Sequence, residues 1–230
     1  MDILSLLNLP SIPKEEISIS HFIDNLELKP NKIRQFKKHI TSIYIVSILN
    51  EETLKVRHYL DQNVSYQAVY VLEVNMKAID NLSEYAHIIH SAIAEPSLLI
   101  IHVDNLTILS GAVKRINKND SNKSVVEDII CSNFTDDMRI IEIKAKDLRD
   151  YYFAILNNLY RFKAIQLTGH NFLADIDYKT IVECLEKIQI QINSLTTEYK
   201  AASVMREKAT VFEKLTAKQQ EFKSIIDSLV

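Results

Sequence analysis

The sequence predicts a mixed α/β domain over residues 1–176, an α+β arrangement of one mixed sheet with flanking helices, followed over 177–230 by a long C-terminal helical or coiled-coil tail. Three observations carry that prediction. Residues 66–76 alternate: Ala68, Tyr70, Leu72, Val74 and Met76 share one strand face, while Val69, Val71, Glu73 and Asn75 share the other. Residues 98–103 are apolar on both faces, as a central strand is, and a helical stripe fills the interval between the two strands. Residues 178–230 hold neither glycine nor proline, and Ile181, Leu185, Ile188, Ile192, Leu195, Tyr199 and Ala202 recur in a 4-3-4-3-4-3 spacing that draws a seam along one side of a helix.

The elements follow in order. Pro30 and Asn31 precede a helix over 32–40, with Ile33, Phe36 and Ile40 on its inner face. Residues 41–49, rich in β-branched and aromatic side chains, read as a strand. A polar connection over 50–62 leads to the alternating strand. The helix over 78–93 turns Ile79, Leu82, Tyr85, Ala86, Ile89 and Ile93 inward, and Pro96 ends the connection that follows. After the strand over 98–103, Asp104-Asn105 suits a two-residue hairpin turn, because both tolerate left-handed backbone. A returning strand over 106–113, a polar loop over 117–123, a strand over 124–131 and a short edge element over 139–143 come next. Asp147 caps a helix reaching residue 160, with Leu148, Tyr152, Ile155 and Leu159 inward. Strand–helix–strand implies a parallel crossover and the hairpin implies antiparallel neighbours, hence a mixed sheet. The tail seam continues through Met205, Ala209, Phe212, Leu215, Phe222, Ile226 and Leu229. The step from Ala202 to Met205 is three where four is due, which reads as a phase slip in a coiled coil or as a break into an α-hairpin.

Composition narrows the function. With 47% apolar and 25% charged residues the chain has the make-up of a folded globular protein. A formal charge of -3 excludes the global basic field of a protein that coats nucleic acid, though not a local patch. The two cysteines, Cys131 and Cys184, sit in apolar periodic contexts without metal or disulfide spacing, which points to the reducing cytoplasm. The first nine residues are apolar but carry Asp2 and no cation, and Pro10 and Pro13 stop them, so they do not read as a secretory signal. No apolar run reaches the roughly 18 residues that a membrane helix requires, and no membrane association is expected. Only Gly111 and Gly169 are present, too few for a phosphate-cradling loop, a dinucleotide fingerprint or a nucleophile elbow. No catalytic, cofactor or metal residue is assigned.

The candidate sites are of two kinds. Ile181, Leu185, Ile188, Ile192 and Leu195 form the seam and would carry docking to a protein partner or to another copy. Lys32, Arg34, Lys37 and Lys38 form a basic cluster suited to phosphate contact with DNA, and Lys114, Arg115 and Lys118 a weaker second one; the plainer reading is a solvated helix face. Glu73, with Lys77 on its strand face, and Asp104 at a strand end would be the carboxylates of a divergent metal-dependent nuclease, although the usual lysine position two residues after the glutamate is Asn75. His87 and His90, with Glu84 near, have metal-ligand residue types, but surface or boundary histidines are the commoner case.

The segments Phe22-Ile23-Asp24-Asn25-Leu26-Glu27-Leu28-Lys29-Pro30, Leu49-Asn50-Glu51-Glu52-Thr53-Leu54 and Val69-Tyr70-Val71-Leu72-Glu73-Val74 together resemble an uncharacterised bacterial family, domain-of-unknown-function family 4391. The helix over 147–160 and the charged terminal helix from Lys200 fit the same pattern. The resemblance implies genes encoded beside helicases and type III restriction–modification systems, and supplies no activity or catalytic residue. The expected function is therefore a non-catalytic accessory subunit of a nucleic-acid-processing or anti-phage defence complex. It would dock through the C-terminal helix onto a helicase or restriction subunit. The nuclease, and a DNA-binding adaptor acting through the basic helix, are the alternatives.

Overall fold

Helices and strands both build the computed structural model, which describes residues 3–24, 26, 28–118, 120–135, 138–140, 143–172 and 176–229, the side chains of 120–123 excepted. In chain order they are α1 (Ile3–Leu6), β1 (Glu15–Glu16), α2 (Ile19–Asp24), α3 (Pro30–His39), β2 (Ile40–Leu49), α4 (Glu51–Leu54), β3 (Tyr59–Leu60), β4 (Ser65–Tyr66) and β5 (Val69–Met76). Then come α5 (Leu82–Ala92), β6 (Ser97–Val103), β7 (Leu106–Asn117), β8 (Asp120–Phe134), α6 (Leu148–Thr168), α7 (Tyr178–Ala201) and α8 (Met205–Asp227). The chain forms two compact units, Met1–Phe162 and Lys163–Val230.

In the first unit, six strands lie in the order β1-β2-β5-β6-β7-β8. The β5–β6 pair is parallel, because α5 carries the chain back between them, and every other pair is antiparallel. The mixed sheet with flanking helices is thus present. Strands β3 and β4 pair separately.

Strand alternation decides which helix each side chain meets. Leu72 and Val74 of β5, Leu99, Ile101 and Val103 of β6 and Ile108 of β7 pack in one core with Phe22 of α2, Phe36 of α3 and Tyr85 and Ile89 of α5. The opposite sheet face receives the first part of α6. There Gly111 leaves room for Leu156 and Leu159, and Phe134 meets Phe162 edge-on with ring centroids 5.7 Å apart. The registered pairing of β6 with β7 ends at Leu98 and Gly111. Beyond it the Tyr152 hydroxyl accepts the Ala112 N–H (3.0 Å) and shares its proton between the Ser97 (2.8 Å) and Ala112 (3.0 Å) carbonyls. One buried phenol thereby satisfies backbone groups that would otherwise be stranded.

Several expectations need correction. The supposed loop over 117–123 is mostly strand: β7 runs to Asn117 and β8 begins at Asp120. Polar residues there sit in the far end of a long hairpin, where no apolar alternation is imposed. The polar connection over 50–62 contains α4, nucleated by a capping box in which the Asn50 side chain accepts from the Glu52 and Thr53 amides and the Thr53 hydroxyl accepts from the Asn50 amide. Helix α5 starts at Leu82 after Asn81 in the left-handed region (φ 59°), not at 78. Helix α6 runs past 160 to Thr168, with Asp147 accepting the Asp150 amide at 2.9 Å as expected. The edge element over 139–143 falls partly outside the described residues; 139, 140 and 143 carry no strand.

The second unit holds the end of α6, then α7 and α8. The Asp177 carboxylate caps α7 by accepting the Lys179 (3.1 Å) and Thr180 (3.5 Å) amides. Residues 202–204 separate α7 from α8, and the two helices pack on one another. The ring centroids of Tyr199 and Phe212 lie 6.0 Å apart, and Leu195 borders a groove with Ala217, so the chain folds back as an α-hairpin. The irregular step at Ala202 marks that break. A single long coiled-coil helix is not what these residues form.

Candidate functional site

The seam residues divide by depth. Leu185 (0% exposed) and Ile188 (3%) are buried, and Ile181, Ile192 and Leu195 are half-buried. Their counterparts on α8 are Val211, Leu215 and Ile226, also buried. The predicted α8 stripe was one position out in its first half. Val211 turns inward, while Phe212 is 55% exposed and Met205 82% exposed. Tyr199 (37%) and Val204 (52%) are exposed as well, so four apolar side chains near the turn between the helices meet solvent, with the Tyr199 and Phe212 rings 6.0 Å apart. The seam therefore builds the hairpin, and the patch at its turn is the feature that sequence reading misplaced. The signal for it was the phase slip at Ala202.

Helix α3 turns its predicted faces inward and outward, although it begins at Pro30 rather than 32 and Ile40, expected on the helix, starts β2. Phe36 is fully buried, and Lys32, Arg34, Lys37 and Lys38 are exposed. Lys32 pairs with Glu84 of α5 (2.6 Å), and Arg34 donates to Asn31 Oδ1 (3.1 Å). Lys114, read as part of a second basic cluster, is instead buried (4% exposed), and Arg115 pairs with Glu127 (2.9 Å). Only Lys118 of that group remains an exposed cation without a described acid partner, so no second patch forms.

Burial of Lys114 creates a polar cluster that the sequence did not announce. Its ammonium donates to the Ile93 carbonyl (3.0 Å), the Glu95 carbonyl (2.7 Å) and Ser97 Oγ (3.2 Å), clasping the α5–β6 connection. Ser124 Oγ donates to the same Ile93 carbonyl (3.2 Å). Ser97 Oγ also lies 2.8 Å from His90 Nδ1, and His90 Nε2 lies 3.1 Å from Ser110 Oγ, which accepts the Cys131 thiol (3.3 Å). Because the ammonium already donates to Ser97, the hydroxyl proton is free to go to His90 Nδ1. That leaves the Nε2 proton for Ser110 and fixes a neutral tautomer. Burial, reinforced by the Lys114 and His87 charges, holds His90 well below its ordinary pKa. Burial also pushes the Lys114 amine from 10.5 to about 7, against an opposing pull from Glu95. His90 is thus a core residue rather than a surface one, while His87 is exposed, and the pair does not converge on a common point. Among the described residues no group of three or more His, Cys, Asp and Glu is placed to hold a metal ion.

The two candidate nuclease carboxylates are not brought together. Glu73 lies beside Ile100 in the parallel register, and Asp104 follows Ile100 by four residues. That is about 13 Å of strand, against the roughly 4 Å across which two oxygens share a magnesium ion. Both Glu73 oxygens are held by Lys14 at 2.7 Å, so the acid pins the N-terminal segment to the sheet. Lys77, its expected strand-face neighbour, is exposed and not its partner.

A further surface cluster lies where β3 meets α6. The Arg149 guanidinium sits over the rings of Tyr59 (5.0 Å) and Phe153 (5.6 Å) and donates to the Tyr59 hydroxyl (3.1 Å).

Among the described residues no helix is long and apolar enough to cross a membrane. The family described as Domain of unknown function (DUF4391) matches residues 8–222 of the chain. No curated protein and no solved structure matches it.

Proposed function

The chain belongs to the DUF4391 family, and from that premise we propose that it is a non-catalytic accessory subunit which docks, through its C-terminal helices, onto a larger nucleic-acid-processing complex in the cytoplasm. Residues 1–176 act as the folded platform and 177–230 as the docking element. The partner is a helicase or restriction–modification subunit of a defence system, the company that the family resemblance implies.

The observation that supports this reading is the apolar patch at the hairpin turn, formed by Tyr199, Val204, Met205 and Phe212. Its exposed area is roughly 400 Å², about half of what each side of a stable protein pair buries. A second copy presenting the same patch would fall short of that area. A larger protein with an apolar pocket supplies the rest, with Met205 and Phe212 as anchors. The seam residues Ile181, Leu185, Ile188, Ile192 and Leu195 then act indirectly, by holding the hairpin that presents the patch.

The test is co-expression with a helicase or type III restriction–modification subunit from the same genome, followed by light scattering. The unaltered chain forms a heteromeric species, and the Met205→Glu/Phe212→Glu variant does not, while both give the same circular dichroism. A monomeric mass for the unaltered chain beside every such subunit, or an undiminished complex with the variant, refutes the proposal. The nuclease alternative draws no support from the separation of Glu73 and Asp104.

A further inference from the structure

We infer that the solvent face of α3, extended by Lys77, binds the sugar–phosphate backbone of duplex nucleic acid. This surface lies in the first compact unit and stands independently of docking by the hairpin.

Helix α3 carries Lys32, Arg34, Lys37 and Lys38 and not one acid in ten residues. At about 100° per residue, Arg34, Lys37 and Lys38 fall within roughly 100° of arc, turned away from buried Phe36. Lys32 lies on the other flank, where Glu84 neutralises it. Asn31 orients the Arg34 guanidinium without cancelling its charge. The structure adds a cation that the helix alone does not contain. The Lys77 amide donates to the His39 carbonyl at 2.9 Å, which fixes exposed Lys77 at the C-terminal end of α3. Exposed Lys29 stands at the other end.

Basic residues in a last helical turn complement the helix dipole, which accounts for Lys37 and Lys38. It does not account for Arg34, Lys77 or Lys29. The chain as a whole is acidic (-3), so the concentration of cations is local. Asp24 and Asp80 are exposed carboxylates near either end of the row. An anionic bilayer is the less suited occupant. The apolar residues of α3 point into the core, leaving nothing to insert among acyl chains. Long flexible cations on a helix face read phosphate position and not base sequence.

Fluorescence anisotropy with a labelled duplex of about 20 base pairs, titrated at several salt concentrations, tests this. If Arg34, Lys37, Lys38 and Lys77 each neutralise one phosphate, the slope of log affinity against log salt is about -3.6, and affinity falls about 150-fold between 50 and 200 mM salt. The Lys37→Glu/Lys38→Glu variant lowers the slope by about 2 and weakens binding at least tenfold, whatever the duplex sequence. Lys214→Glu/Lys223→Glu makes the same change in net charge on the hairpin and leaves binding unaltered. Three results overturn the inference: no duplex binding at about 50 mM salt, equal loss in both variants, or α3-dependent binding to phosphatidylserine vesicles without duplex binding. Because both variants leave Met205 and Phe212 in place, retention of the partner complex separates failure here from failure of the docking proposal.

Discussion

Lys114 is the residue whose alteration tests the core most directly. It is a cation at 4% exposure whose three hydrogen bonds go to neutral oxygens, not to a carboxylate. Burial pushes its amine from 10.5 to about 7. Between those values the unfolded chain holds the proton and the folded chain releases it. The unfolded state therefore binds more protons, and stability rises with pH across the window. Below pH 7 both states are protonated and the burial penalty is present in full; above 10.5 both are neutral and it vanishes. From pH 7 to 10 the accumulated change is about 4 kcal/mol. Buried Tyr66, raised from 10 to about 12, and Tyr152, raised further, act with the opposite sign above pH 10, so the window should stop there. Lys114→Met fills similar space and removes the titration, at the cost of the hydrogen bonds to the Ile93 and Glu95 carbonyls, of which Ile93 keeps the one from Ser124. That cost does not depend on pH. Urea unfolding of both proteins at pH 7, 8, 9 and 10, followed by circular dichroism, should show the unaltered chain gaining about 4 kcal/mol relative to the variant across the series. A difference constant to within about 0.5 kcal/mol would mean that the three hydrogen bonds fully offset desolvation, and the reasoning would fail.

Three further outcomes follow from packing. Gly111→Ala drives a methyl into a Leu156 methyl in a closed core, so it should cost about 1–3 kcal/mol in urea unfolding despite alanine's better strand entropy. Tyr152→Phe strands the Ala112 amide and the Ser97 carbonyl and should cost about 1–3 kcal/mol by the same measurement; a neutral result would show that those groups find other partners. Leu185→Ala should destabilise by about 2–5 kcal/mol with loss of helical circular dichroism, whereas Met205→Glu should stay within about 0.5 kcal/mol. Equal effects at the two positions would contradict the division between hairpin seam and exposed patch.

The central strands were legible because period-two and two-sided apolar patterns report burial directly. Val69 to Met76 and the start of β6 emerged within one to three residues of their predicted ends. The Asp104 turn was legible because the residue does occupy the left-handed region, at φ 51°. The far end of the β7–β8 hairpin was not, since its polar sequence carries no periodic apolar trace. In the tail the helical period was plain, but period alone does not say whether a seam faces a neighbour or itself. The hairpin answers for Leu185 and Ile188 and shifts attention to Met205 and Phe212. Lys114 was misread for a related reason. A lysine at a strand end ordinarily reaches solvent, and only the α5–β6 connection, with the Ile93 and Glu95 carbonyls turned toward the ammonium, makes the buried position tenable. Nothing local to Lys114 foretells that connection.

The spacing of strands along the chain sets a timetable for assembly. Strand β7 reaches β6 through Asp104 and Asn105 and reaches β8 through residues 118–119, so these pairings close at small entropic cost. Pairing β2 with β5 must wait for residues 50–68 to be looped out, and the parallel β5–β6 contact must enclose residues 77–96. The β6–β7–β8 meander should therefore nucleate folding, with β2 and β5 zipping on afterwards. Truncations at Ile108 or Leu109 would then slow refolding, while truncations at Ile43 would mainly speed unfolding. The reverse pattern would show that the crossover helix, not the meander, leads the descent to the native state.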